Sequence, residues 1–154
     1  MTTPRVRALL ASLTITTPLA LTTPMATAEP LLPPVRPLTV LAGFRPPAGP
    51  FASGHRGVDL RVPTGTPVHS PLAGTVVFAG RLVDRPLVVV AVGDSRYTLE
   101  PVLPVVVPGQ VVQRGQVLGL VGTGGHCDRD CLHLGLRLAG VYVHPLRLHA
   151  ALVP

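Results

Sequence analysis

Most of this chain is predicted to form an all-β domain, on three observations. From Phe51 onward, short apolar runs alternate with Gly and Pro at close spacing, the punctuation of strands joined by tight turns. The runs are either rich in β-branched residues or strictly alternating, both of which suit a pleated sheet. No stretch carries a competing helical periodicity.

In chain order the predicted strands are Gly74 to Ala79, Leu87 to Val92, Val105 to Val107, Val117 to Val121 and Leu132 to Leu138. The unbroken apolar run from Leu87 to Val92 predicts a strand covered on both faces. In the last strand Leu132, Leu134, Leu136 and Leu138 alternate, so His133, Gly135 and Arg137 share the opposite face. Earlier, Val58, Leu60 and Val62 alternate as well, which puts Asp59 on the polar side of a strand start.

The 154 residues suffice for one domain with an ordinary core. Residues 1–28 read as a signal peptide: Arg5 and Arg7 precede an apolar stretch from Ala8 to Leu21, and Ala26-Thr27-Ala28 offers small residues for cleavage before Glu29. Thr14, Thr16, Thr17 and Pro18 leave that stretch short of the ~20 apolar residues of a spanning helix, and Gly, Pro or Arg breaks every later apolar run. A secreted or cell-wall location without a stable membrane span is therefore expected. Residues 29–50 are proline-rich, denying helix and interior strand alike, and read as a linker or an extended wrap around the edge of a domain over 51–154.

All 13 basic residues are Arg. Without Arg5 and Arg7, eleven arginines face seven acids, for a net charge of +4, which favours anionic surroundings such as a cell wall. Nucleic acid is set aside as a partner, because the arginines are scattered, Trp is absent and aromatics make up only 3% of the chain. The two cysteines, Cys127 and Cys131, pair by default in an exported protein; the rival reading makes them thiolate metal ligands.

Two constellations point to chemistry. In Gly54-His55-Arg56-Gly57-Val58-Asp59 the glycines disfavour helix and allow close backbone approach, so a loop can swing His55 toward Asp59. An imidazole and a carboxylate suit zinc, which takes four donors in a tetrahedron. Cys131-Leu132-His133, far away in sequence, supplies a third ligand at the start of a strand. Three protein ligands and a position left for water make the catalytic arrangement of zinc.

These residues resemble the lysostaphin-type zinc metallopeptidases, which cleave peptides of peptidoglycan. The resemblance runs from about Phe51 to the C-terminus through Gly54-His55-Arg56-Gly57-Val58-Asp59-Leu60, then Gly65-Thr66-Pro67-Val68 leading to Gly74-Thr75-Val76-Val77, then Gly109 and Gly115-Gln116-Val117-Leu118-Gly119-Leu120-Val121-Gly122, then Leu132-His133-Leu134. It implies a compact antiparallel sandwich or barrel-like core built on the family's duplicated hybrid motif, with a groove across the metal. It also implies His55, Asp59 and His133 as zinc ligands, His133 matching the second His of the family's His-x-His motif, and a peptidoglycan peptide as the substrate.

The chain departs from that pattern at two places. Cys131 replaces the first His of His-x-His, and no His lies between His69 and His126, where the family supplies a second catalytic His. Counting back from Gly109 puts Glu100 at that position, and a carboxylate is a competent general base; a solvated strand-end acid is the alternative. His126 is either an ordinary loop residue or an imidazole held over the site by a Cys127–Cys131 bridge to stabilise an oxyanion. His69, His144 and His149 read as core-edge or surface residues, and Arg137 as a solvated side chain or a ligand for a substrate carboxylate.

Three hypotheses follow: an exported zinc metalloendopeptidase of peptidoglycan; a catalytically degenerate zinc-containing domain that binds the wall or regulates a partner hydrolase; and a structural zinc site on Cys127, Cys131 and His133.

Overall fold

A computed structural model of the chain describes residues 31–49 and 51–146. The signal-peptide reading and His149 lie outside the described residues. Among the described residues no helix forms, and none is long and apolar enough to cross a membrane.

Among the described residues eleven strands form two antiparallel sheets. They are β1 (Val40–Ala42), β2 (Gly57–Arg61), β3 (Pro67–His69), β4 (Gly74–Leu82), β5 (Arg85–Val92), β6 (Ser95–Glu100), β7 (Val102–Pro104), β8 (Val111–Val112), β9 (Val117–Val121), β10 (Cys131–Leu138) and β11 (Val141–Tyr142). The large sheet runs β1-β2-β10-β6-β5-β4-β8, with β11 paired to β10, and the small sheet runs β3-β9-β7. Because the large sheet is open, with β1 and β8 at its ends, the core is a sandwich and not a closed barrel.

Period-two alternation builds that core. Leu132, Leu134 and Leu136 of β10 turn inward beside Val58 and Leu60, Leu99, and Val88 and Val90. Val68, Val102, Leu118 and Val121 meet them from the small sheet. All are almost completely buried, each such side chain contributing about 1.5–3 kcal/mol by leaving water.

Three expectations need correction. Val105 to Val107 is not a strand: β7 lies just before it, the Val105 N–H makes a last bond to Leu118 O, and Pro108 and Gly109 (φ 87°) then turn the chain. Val106 packs inward while Val105 and Val107 face solvent. Strand β6 has no counterpart among the predicted strands; it is joined to β5 by the two-residue turn Gly93-Asp94, with Gly93 in the left-handed region (φ 54°), a hairpin signal of known type. Strand β5 is not fully covered on both faces. Leu87 is buried on the outer side, but Val89 and Ala91 are only half-buried.

The proline-rich segment takes the form of a wrap. Leu31 and Val35 enter the core, His69 N donates to Pro34 O at 2.8 Å, and β1 pairs with β2. Arg45 and His55 then exchange two backbone hydrogen bonds, of 3.0 and 2.8 Å.

Two substitutions check this packing. Leu99→Ala, at a fully buried position, is expected to cost about 2–5 kcal/mol in urea unfolding. Val107→Ala, on the exposed turn, is expected to stay within about 0.5 kcal/mol.

Candidate metal centre

Register places the site. On the outer face of the large sheet Asp59 of β2 lies opposite His133 of β10, and His133 lies opposite Glu100 of β6, so three polar side chains form one row across three strands. Asp59, His133 and Glu100 are all buried. One register step along, Gly57 leaves room for the His133 ring: a Cβ at Gly57 would come within 2.6 Å of His133 Nε2 and would collide with Leu134 O. Gly54 serves the same purpose in the preceding loop, where a Cβ would meet Arg45 O at 2.8 Å.

His55 joins from that loop, fixed on both sides. Its backbone pairs with Arg45, and its Nδ1 donates to Gly43 O at 2.7 Å. A carbonyl can only accept, so this bond fixes the tautomer and turns the Nε2 lone pair inward. Nε2 lies 3.0 Å from Asp59 Oδ1 and 3.2 Å from His133 Nδ1. His133 Nδ1 lies 2.7 Å from the same Oδ1.

The fourth arrival is His126. Its Nε2 lies 3.0 Å from Asp59 Oδ1, and its ring stands edge-on to those of His55 and His133 at 5.7 and 4.9 Å between centroids. It directly precedes a loop closed by the Cys127–Cys131 disulfide and pinned by Asp130, whose carbonyl accepts from Val62 N and whose carboxylate accepts from Thr64 N. Sulfurs joined to each other are not thiolates, so the structural site on Cys127, Cys131 and His133 is set aside.

Burial works against the Asp59 charge, but hydrogen bonds from His133 and then His126, with the field of His126 and His55, outweigh it and bring the carboxyl down to about 2.

The ligating atoms of His55, Asp59, His126 and His133 all lie within 4.8 Å of one another, and their chemistry fits a metal. With Nδ1 of His55 committed to Gly43 O, its Nε2 is the ring atom that faces Asp59 Oδ1 and His133 Nδ1. Imidazole nitrogens and a carboxylate oxygen are donors that a metal ion accepts together, so His55, Asp59 and His133 can hold one, with His126 Nε2 in reach.

Glu100 reaches the cleft but not the donor set. Its Oε2 accepts from Arg85 Nε at 2.9 Å, and Arg85 Nη1 donates to Asp84 at 2.8 Å. Glu100 Oε1 has no hydrogen bond among the described residues. Arg85 is a residue sequence reasoning missed. It also buttresses the His126 loop, since a Cβ at Gly125 would lie 2.5 Å from Arg85 Cδ. The cleft over the cluster has a volume of about 410 Å³ and a rim of Arg45, Arg56 and Arg85. His69 and His144 sit elsewhere, bonded to Gly115 O and packed near Phe44 respectively.

An open β-sandwich with a His/Asp donor set in a cleft defines a protein of the metal-binding β class. The chain belongs to peptidase family M23, whose family model matches residues 53–145. It is 39% identical over 126 residues to an uncharacterised protein of Mycobacterium tuberculosis, an alignment covering 77% of this chain and 49% of that protein. The chain thus spans about half the length of the curated relatives it matches. A zinc-containing peptidase from Vibrio cholerae superposes with TM-score 0.61 at 26% identity, over 75% of this chain and 39% of the other. The catalytic domain of the antimicrobial peptidase lysostaphin from Staphylococcus simulans superposes with TM-score 0.62 at 24% identity, over 73% and 92% of the two chains, a likeness of fold.

Metal analysis after dialysis separates ligand from neighbour. Asp59→Ala is expected to weaken metal binding by more than the roughly 10–100-fold that loss of an outer hydrogen-bond partner costs. Glu100→Gln is expected to keep the metal content of the unsubstituted chain.

Proposed function

We propose that the chain is an exported zinc metalloendopeptidase acting on peptidoglycan peptides. The observation that carries this reading is the convergence of His55 Nε2, Asp59 Oδ1 and His133 Nδ1 from a loop and two strands onto one buried point open to a cleft. Family membership supports the peptidase class. The nitrogen and oxygen donors, and the zinc-containing relative from Vibrio cholerae, support zinc. The basic charge and the signal-like N-terminus support export to the wall.

Zinc bound by His55, Asp59 and His133 would supply Lewis acidity and lower the pKa of water. The protein's side chains do the rest. Glu100 Oε1 takes the proton of the attacking water and returns it to the leaving amine. Arg85 holds the carboxylate through Oε2 so that Oε1 stays presented to the cleft. His126, next to the disulfide-closed loop, donates to the carbonyl oxygen as negative charge develops there.

One observation favours a second reading. His126 gives the cluster a fourth protein donor, and four protein ligands are the mark of a zinc site without turnover. In that reading the domain binds wall peptide or regulates a partner hydrolase.

Purified peptidoglycan incubated with the zinc-loaded chain is expected to yield new amino termini by mass spectrometry. Glu100→Gln is expected to slow their appearance by about 100-fold or more; an unchanged rate would remove Glu100 from the mechanism. Wall binding with no new termini would establish the second reading.

A further inference from the structure

Beside the metal centre lies a second open cleft, of about 580 Å³, and Arg56 lines both. Its floor is a cross-strand pair: Arg137 of β10 stands opposite Tyr142 of β11, with the Arg137 guanidinium carbon 5.2 Å from the centre of the Tyr142 ring. The Arg56 guanidinium approaches the same ring at 5.7 Å. Both distances are within cation–π range. Pro46 and Pro47 wall the cleft, and no acidic residue lines it among the described residues.

The Arg137 guanidinium, set on the Tyr142 ring in a cleft that no acidic residue lines among the described residues, makes a positive recess for an anion. The donor inventory makes it selective. Arg137 spends Nε and one Nη2 hydrogen on Gly140 O, at 3.2 and 3.0 Å. Two Nη1 hydrogens and one on Nη2 remain, which is an end-on fork matched to the two oxygens of a carboxylate.

We propose that this cleft is a subsite for a carboxylate of the bound peptide. The choice of ligand rests on the peptidase reading; the recess itself does not. His133, Gly135 and Arg137 follow one another on one face of β10, so the Cα of Arg137 is roughly 13 Å from that of His133. An extended peptide running along β10 covers that distance in about four residues, which places the recognised carboxylate some four residues from the bond over the metal.

The test uses three acetylated peptides: tetra-alanine with a free C-terminal carboxylate, Ala-Glu-Ala-Ala with an amidated C-terminus, and amidated tetra-alanine. Dissociation constants come from NMR titration of the zinc-loaded chain. At least one acidic peptide is expected to bind about five-fold or more tighter than the neutral one, and which one does so tells a terminal from a side-chain carboxylate. Arg137→Gln is expected to erase that preference while leaving neutral-peptide affinity and zinc content unchanged. Arg137→Lys is expected to restore part of it, having charge without the fork. Equal binding of all three peptides, no binding of any, or a preference that survives Arg137→Gln would overturn the proposal. Acid preference without peptidoglycan cleavage would sink the peptidase reading alone, and cleavage without acid preference the subsite alone.

Discussion

A single carboxylate oxygen organises this structure. Asp59 Oδ1 lies 2.7 to 3.0 Å from three imidazole nitrogens that arrive from separate parts of the chain. Such crowding is tolerable only if positive charge is shared among the four groups, and only if each ring is held from behind. Gly43 O holds His55, the space over Gly57 admits His133, and His126 adjoins the disulfide-closed loop. The sheet supplies the remaining condition, because a one-residue slip between β2 and β10 would turn Asp59 and His133 to opposite faces.

The same row continues to Glu100 and shows how charge is managed along it. Asp59 is balanced by imidazoles and Glu100 by Arg85, so neighbouring buried carboxylates are each matched locally and not left to repel one another. Arg85 also braces the turn at Gly124-Gly125 that leads into His126. Arg85 therefore ties Glu100 to the turn that leads into His126.

Much of this was legible in the sequence where periodicity is strict. Leu132, Leu134 and Leu136 gave the inner face of β10 and so the outward direction of His133, and the glycines at 54 and 57 signalled close approach. The long β5 run marked a central strand but hid its first two residues, and with them Arg85, which shares a face with Leu87. Strand β6 was missed because only Tyr97 and Leu99 carry its alternation with Arg96 and Thr98, although Gly93-Asp94 marks the hairpin. The Val105 to Val107 run misled because composition cannot register that Pro104 and Pro108 bracket it. The position of His126 follows from loop closure, which no periodic pattern encodes; its nearness to Cys127 was the one available hint. Gly43 carries no signal at all, since its contribution is a backbone carbonyl.

That carbonyl changes where the functional unit has to be cut. Composition shifts sharply at Phe51, and the family match begins at residue 53. Yet the upstream segment supplies Val35 to the core, two backbone bonds to His55 and the acceptor that sets its tautomer. A fragment excised at Phe51 would keep every donor side chain and still lose the orientation of the first one. The hydrogen bonds that orient His55 thus reach back to Gly43 and Arg45, upstream of the residues matched by homology.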